Sequence, residues 1–582
     1  MAFALLAALL TACGFTKHGA PPVRMAKPAG PANSISIVPY PRMLDAHAGA
    51  YVWHIPVSIS GTSDAERSEA TNVAALFARH GIASTEVFGK PADVRLRIDP
   101  ADRSLGAEGY ALEAGARGIE VRAAGGAGLF YGLQTLEQLT TFAPGRAPRT
   151  ARVSVRDRPA YRWRGIHLDV SRHFFSVRTV ERYIDLAAHW KLNMLHWHLT
   201  DDRAWRLEIR AYPRLAPGAR YTQRDVRAIV AYARRRHVTV VPEIEMPGHQ
   251  SAALAAYPGL AGTRRFELTV LREVLQLFPG RYVHIGGDEV QYTPARASFM
   301  RDVARFLELH HRTPIAWDDL LAAHPGANVA LTVWHGAAGV ARGTAAHDLV
   351  MSPDGPLYFD AYQGDRRQEP VAAPHLSTLS LVYDYDPLPD RASASFRAHL
   401  LGVQANVWTE KIEAEDHLFY MVLPRELALA EIAWDVPARK NWNRFLSSLP
   451  AQFAWLDEHG YRYRIPNVAF DVAERSARFA ARPGSVQSAV AIVPERSVHL
   501  TLSVPLRGAG IHYTVDGSEP TLASAQFRAA LKLTLRPHAR VVVRAAAFLR
   551  DGRHGASSEC LFVYGNAPAS YRSRSWRGLV SP

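Results

Sequence analysis

The chain has 582 residues, too many for one hydrophobic core, since single cores stop growing at about 250–300 residues. Hydrophobic residues make up 48% and charged residues 21%, which excludes a disordered chain and predicts several ordinary globular domains. The formal charge of +14 comes mainly from scattered arginines without an aromatic-interleaved basic stripe, so nucleic acid is not an expected partner.

Residues Met1–Leu10 are wholly apolar and run into Thr11-Ala12-Cys13-Gly14. Ten residues are too few to span a bilayer as a helix. The Leu10-Thr11-Ala12-Cys13 run resembles a bacterial lipoprotein processing site, although no basic stretch precedes it. That resemblance implies lipidation of Cys13 and attachment to the cell envelope, in the periplasm or at the outer membrane. Simple secretion or an incidental apolar terminus are the alternatives. With Cys13 lipidated only Cys560 would remain, and one lone thiol forms no internal disulfide. Residues 14–33, rich in Gly, Pro and Ala, read as a flexible tether.

Residues 34–158 predict a small α/β domain. Val94–Ile98 and Gly118–Arg122 alternate as strands, while Glu69–His80 and Gly126–Thr140 carry apolar residues three and four apart, as helices do. From 159 to 466 one unit recurs: short apolar run, polar loop, helical segment. The candidate strands are Gly165–Val170, Met194–Leu199, Thr239–Ile244, Tyr282–Gly287, Pro314–Trp317, Val329–Trp334, Leu349–Ser352 and Gly402–Trp408. Eight such strands predict a catalytic (β/α)8 TIM barrel, with an open sheet as the alternative. The basic Arg234-Arg235-Arg236-His237 run reads as a solvated helix end. Asn467–Ser485 reads as a linker. The last part, 486–565, has Val/Thr/Leu-rich alternation at Val498–Val504, Ile511–Val515, Leu531–Leu535 and Val541–Ala547, with a turn at Asp516-Gly517; a β-sandwich is expected.

The fourth barrel run ends in Gly286-Gly287-Asp288-Glu289. Acidic residues at strand exits are where barrels do chemistry. Adjacent carboxyls do not easily flank a sugar as nucleophile and acid, which need about 5 Å or more between them. The pair therefore suggests one proton donor and one substrate-orienting group, against the plainer reading of a surface Asp-Glu turn.

Five motifs carry a family resemblance: Asp169-Val170-Ser171-Arg172, His196-Trp197-His198-Leu199-Thr200-Asp201-Asp202, Met246-Pro247-Gly248-His249, His284-Ile285-Gly286-Gly287-Asp288-Glu289 and Trp408-Thr409-Glu410. In this order they resemble the family 20 β-N-acetylhexosaminidases, and Tyr513–Thr521 resembles the C-terminal domain of bacterial chitobiases. The resemblance implies β-N-acetylhexosaminide glycans or chitooligosaccharides as substrates and neither cofactor nor metal. It implies Glu289 as general acid and then base, with a pKa raised by an aromatic pocket. Asp288 would accept the substrate's acetamido N–H, and Tyr358 would donate to the acetamido oxygen as that oxygen attacks the anomeric carbon. Arg172 would bind the 3- and 4-hydroxyls, Glu410 the 4- and 6-hydroxyls with Asp360 helping, and Trp317, Trp334 and Trp408 would wall the sugar. Asp201 would orient His249 toward the carboxylate pair. The plainer alternatives are a rim salt bridge for Arg172, a core position for Tyr358 and the tryptophans, and a satisfied core histidine for His249.

His196, His198, Asp201, His249 and His284 are metal-capable, but no water-activating Glu stands at H-E-x-x-H spacing. Two departures stand out. Only 39 positions separate His249 from Asp288, a short connection for the family, and Glu245 occupies a usual Asp position. The first would open the cleft beyond the terminal sugar. A lacto-N-biosidase-like enzyme and a non-catalytic glycan-binding lipoprotein are the competing functions.

Overall fold

Eight parallel strands close into a barrel in the centre of the chain. They are Trp163–Asp169, Met194–His198, Thr239–Glu243, Tyr282–His284, Thr313–Trp317, Ala330–Val333, Leu349–Met351 and Leu400–Ala405, the last pairing back onto the first. This computed structural model describes residues 35–88, 91–336, 346–388, 392–474, 477–481, 487–537 and 540–565. Cys13 and the apolar run before it lie outside the described residues. Among the described residues, no helix is long and apolar enough to cross a membrane.

The strand sequences stack the barrel interior in layers, because alternate side chains face inward. Trp163, Val241, Tyr282, Ile315, Ala330, Val350 and Leu401 form one buried apolar layer, with Met194 packed against it. Two residues further along, toward the C-terminal ends, the inward positions become Glu243, His284, Trp317 and Thr332. An apolar floor thus carries a buried polar layer, and the cleft opens above it. Amphipathic helices such as Val177–His189, capped by Ser176, and Gln223–Arg234, with a Thr222/Asp225 capping box, turn their apolar faces to the strands.

Residues preceding the barrel form an eight-stranded mixed sheet with the helices Asp64–Arg79 and Gly126–Leu139 packed on it. It docks at the N-terminal ends of the first two barrel strands. There the fully buried Arg164 pairs with Glu108 at 2.8 Å, and the fully buried Lys191 lies 3.6 Å from Asp157. This docking keeps the domain away from the C-terminal mouth.

After the barrel come a three-stranded and a six-stranded sheet. Ser497–Ser503, Gly510–Thr514, Leu531–Thr534 and Arg540–Phe548 match the expected alternation. The stretch read as a linker differs: Ala469–Val472 pairs antiparallel with Ser497–Ser503, and Arg478–Ala481 pairs with Ser488–Val493. Burial of Val468 and Phe470 explains the difference, because two apolar residues anchor an otherwise polar stretch. The sheets are not wholly antiparallel, since Ser488–Val493 runs parallel to Ser558–Tyr564.

Candidate active site

At the barrel's C-terminal mouth lies a cavity of about 400 Å³, lined among others by Arg172, His249, Asp288, Glu289, Trp317, Trp334, Tyr358, Asp360, Trp408 and Glu410. This volume suits a small ligand. A recess of about 480 Å³ also opens at the opposite end, between Arg281, Arg312, Asp348 and His399. It faces away from the strand exits and from the carboxylate pair.

Asp288 reaches the cavity because the fourth strand stops at His284 and the next glycines adopt conformations closed to other residues. Gly286 and Gly287 have φ of 62° and 94°. A Cβ on Gly286 would sit 2.0 Å from Glu245 Oε2, so only glycine fits. The turn is held by Trp317 N–H donating to Gly286 O at 3.0 Å and Gly287 N–H donating to Glu245 Oε1 at 3.0 Å. Burial and the negative charge of Glu243 push the Asp288 carboxyl up to about 6, with His249 and His198 pulling the other way.

Glu289 has the opposite environment. Its backbone is left-handed (φ 53°) and its side chain is 66% exposed, whereas Asp288 is 16% exposed. The enclosure expected around Glu289 is not present: of the two, Asp288 is the more enclosed, because consecutive side chains leaving one tight turn diverge. His249, at φ 46°, bridges the pair, with Nε2 3.4 Å from Glu289 Oε2 and 3.8 Å from Asp288 Oδ2.

The expected Asp201–His249 pairing is also rearranged. His249 Nδ1 lies 3.2 Å from Asp202 and 3.9 Å from Asp201. Asp201 turns to the other side, 2.9 Å from Arg172 Nη2 and 3.1 Å from His198 Nε2. Arg172 further lies 3.4 Å from Asp169 and 3.6 Å from Glu410, with its guanidinium 5.0 Å from the Trp408 ring centre. Burial opposes the Arg172 charge, but these carboxylates outweigh it and raise its pKa. The rim ion pair and the cavity position therefore coexist.

The three tryptophans differ in what fixes them. Trp317 is fully buried and donates its indole N–H to Glu243 at 2.8 Å. Trp334 donates to Asp319 at 2.7 Å and lies against the His335 ring. Trp408 packs 5.7 Å from Trp317, centre to centre. Tyr358 is buried against Trp408, and burial raises its phenol well above the usual value, so it stays protonated. Burial, reinforced by Glu410, lifts the Asp360 carboxyl to about 7.

Three cavity residues escaped the sequence reading, and the roles of Glu245 and Glu243 showed there only in part. Asp354, His375 and Lys411 line the same recess. Glu245 is wholly buried beneath the turn, and its Oε2 has no hydrogen-bond partner among the described residues. Burial, then the charges of Asp288 and Glu243, raise its pKa well above the usual range. Glu243 gave one signal: a charged residue closing the apolar run Val240-Val241-Pro242 on a strand whose alternate side chains face the barrel interior.

Three clusters bring metal-capable atoms together: His167/His196/Glu243, Asp201/Asp202/His249 and Asp318/Asp319/His335. In the first, Val407 N–H donates to His167 Nδ1 and the Gln404 amide donates to His196 Nδ1. Each ring therefore carries its proton on Nε2, which faces Glu243. A metal ligand needs the reverse, a free Nε2 lone pair and a donating Nδ1–H. The other two clusters are engaged in the hydrogen bonds of Asp202 with His249 and Ser251, and of Asp318 with Trp334 and His335.

The comparisons with known proteins agree with this architecture. The profile of "Glycosyl hydrolase family 20, catalytic domain" matches residues 161–269 and 291–437, and that of the same family's domain 2 matches 34–158. The "Chitobiase/beta-hexosaminidase C-terminal domain" matches 494–559. Residues 270–290, which include Asp288 and Glu289, fall between the two catalytic-domain stretches. A beta-hexosaminidase of Porphyromonas gingivalis is 35% identical over 73% of this chain, which spans 61% of that relative's length. The beta-N-acetylhexosaminidase of Cellulomonas fimi is 31% identical over 66% of this chain and 85% of its own length. Among solved structures, the family 20 β-N-acetylhexosaminidase of Streptomyces coelicolor A3(2) superposes with a TM-score of 0.69 at 31% identity, over 75% of this chain and 98% of its own. The family 20 exo-β-N-acetylglucosaminidase of Vibrio harveyi, solved with N-acetylglucosamine, gives 0.68 at 26% identity, over 76% and 81%. With a barrel whose mouth joins the carboxylate pair to three tryptophans, and relatives matching over most of their lengths, this chain belongs to glycosyl hydrolase family 20.

Proposed function

We propose that the chain is a retaining exo-β-N-acetylhexosaminidase that releases terminal β-linked N-acetylglucosamine and N-acetylgalactosamine by substrate-assisted catalysis. The observation that carries this reading is the single recess joining a half-buried Asp288, an outward Glu289, a protonated Tyr358 and three tryptophans.

A sugar seated there stacks its apolar C–H face on the indoles, which exclude water. Arg172 holds the 3- and 4-hydroxyls, and Glu410 with Asp360 holds the 4- and 6-hydroxyls. The Asp288 carboxylate accepts the acetamido N–H while Tyr358 donates its phenolic proton to the acetamido oxygen. That oxygen attacks the anomeric carbon as the glycosidic bond breaks, and Glu289 gives its proton to the departing oxygen. The cyclic oxazolinium ion is then opened by water, whose proton returns to Glu289. Two inversions give net retention without a glycosyl-enzyme ester. The intramolecular attack also removes the entropic cost of bringing in a nucleophile.

We further propose that Cys13 is lipidated and tethers the enzyme to the bacterial envelope; the supporting feature is the apolar run ending in Leu10-Thr11-Ala12-Cys13. The test of function compares a chromogenic β-N-acetylglucosaminide with the matching β-glucoside and with a lacto-N-bioside. The reading requires cleavage of the first, almost none of the β-glucoside, and tight binding of a thiazoline analogue of the cyclic intermediate. Efficient β-glucoside hydrolysis, or a trapped ester between sugar and a protein carboxylate, would sink it.

A further inference from the structure

Below the cavity, Glu243 ends the third strand with no exposed surface and five side chains directed at it, His167 being the farthest at 3.9 Å. Its Oε1 accepts the Trp317 indole N–H at 2.8 Å and lies 3.1 Å from His284 Nδ1. Its Oε2 lies 2.5 Å from His198 Nδ1 and 3.1 Å from His196 Nε2. His198 has acceptors on both sides, Glu243 at Nδ1 and Asp201 at 3.1 Å from Nε2. Two carboxylates at hydrogen-bonding distance favour a proton on each ring nitrogen, a buried imidazolium between two acceptors, with Arg172 Nη1 at the longer distance of 3.5 Å from Nε2. Asp201 in turn lies 2.9 Å from Arg172 Nη2. The order along this line is carboxylate, imidazolium, carboxylate, guanidinium, so each charge fixes the next.

We propose that Glu243 is a positioning residue serving two walls of the sugar pocket at once: Oε2 sets Arg172 through His198 and Asp201, while Oε1 holds the indole of Trp317. This rests on reading Arg172 and Trp317 as sugar contacts. Neither Glu243 nor His198 lines the cavity, so both act only through other residues. The groups facing His198 are Glu243 on the third strand, Asp201 on its own loop, Asp169, Arg172 and His167 from the first strand and its exit, and Asp288 beyond the fourth. Burial alone would discharge His198, but Glu243, Asp201 and Asp169 outweigh it and hold its pKa up to about 10. His167 and His196 are pushed down by burial and remain neutral.

The test uses the purified full chain as wild type, E243Q, E243M and H198Q. E243Q keeps an oxygen for Trp317 but withdraws the charge that holds His198 protonated. KM for the chromogenic β-N-acetylglucosaminide should rise about 10-fold, the usual worth of a hydrogen bond to a charged group. A new limb should also appear in E243Q, with kcat/KM falling further as pH rises through about 6.5, where an unsupported histidine discharges. H198Q should raise KM similarly without that limb, and E243Q/H198Q should be no worse than the poorer single variant, as expected for residues on one network. E243M, losing both arms, should bind worse than E243Q; equal effects overturn the Trp317 arm. A lowered Tm with unchanged KM and unchanged pH profile in E243Q would reduce Glu243 to a core residue and overturn the proposal. Should E243Q fail to fold, an unchanged KM in H198Q overturns the relay. Imidazole 15N shifts, with H198Q as the assignment blank, need no substrate and separate this proposal from the functional reading. A His198 charged to pH 8 in wild type and titrating near pH 6.5 in E243Q supports the relay even if no glycoside is cleaved, whereas identical titration in both refutes it.

Discussion

Replacing Asp288 by Asn should stabilise the protein at alkaline pH while abolishing its chemistry. The Asp288 side chain is 16% exposed, and burial together with Glu243 lifts its carboxyl from the usual 3.8 to about 6. The folded state thus holds the proton more tightly than the unfolded chain. Its stabilisation is therefore fully present below the unfolded pKa and is lost as pH rises through about 6. At about 1.4 kcal/mol per pH unit, ionising Asp288 costs the fold roughly 3 kcal/mol at pH 8 and about half that at pH 5. Asn carries no such cost. The apparent Tm of the barrel transition should rise by about 5 °C at pH 8 and by roughly half as much at pH 5. Scanning calorimetry of both proteins at the two pH values measures this directly. The same ionisation should give wild-type kcat/KM an acid limb near pH 6, because that parameter reports groups of the free enzyme. A D288N protein that is no more stable at pH 8, or equally stabilised at both pH values, would refute the reasoning.

The outward Glu289 leads to a different expectation: E289Q should slow natural glycosides about 10²–10⁴-fold, the usual worth of acid–base catalysis, and slow activated phenolic leaving groups much less. Equal losses on both substrate types would remove Glu289 from the acid role. Tyr358→Phe should lower kcat about 10²–10³-fold, as loss of one donor to a developing charge does, with little change in affinity for the product sugar; weakened product binding with unchanged kcat contradicts the assignment. Wild-type protein should partition into detergent, with Cys13→Ala soluble or unprocessed. Mass spectrometry finding an unmodified Cys13 in protein recovered wholly from the soluble periplasmic fraction overturns the anchor.

Much of the barrel was legible because its strands are buried on both faces and read as apolar runs. Their ends were not. The expected strand Tyr282–Gly287 stops at His284, since Gly286 and Gly287 leave the ladder in left-handed conformations. The helix expected from Glu69 begins at Asp64, where the Ser63/Glu66 capping box starts it before the apolar stripe appears. Residue types near the site were visible in the motifs, but their wiring was not. Asp201 and Asp202 are neighbours in sequence, and only the turn of their loop decides that one meets Arg172 and the other His249. Glu243 showed only as a charged strand end, because its significance lies in five partners drawn from four other strands.

Asp288 and Glu289 are neighbours in sequence with opposite surroundings, and the proposed reaction needs both. Orienting an amide needs a carboxylate already fixed, and Asp288 is fixed by a glycine turn pinned to Glu245 and Trp317 before any ligand arrives. Giving up a proton needs a group that reaches the glycosidic oxygen, which in the proposed binding mode faces the open side of the cleft. Glu289 stands there, exposed, with His249 at 3.4 Å. In the proposed reaction the leaving group itself covers Glu289 and displaces its water, so the acid's surroundings are completed only by the substrate. Activity should therefore respond to the bulk of the aglycone through kcat as well as KM, because a larger leaving group completes the acid's surroundings. A series of β-N-acetylglucosaminides with aglycones of equal leaving ability and increasing size separates the two terms, and a kcat independent of size would mean that Glu289 acquires its acidity from the protein alone.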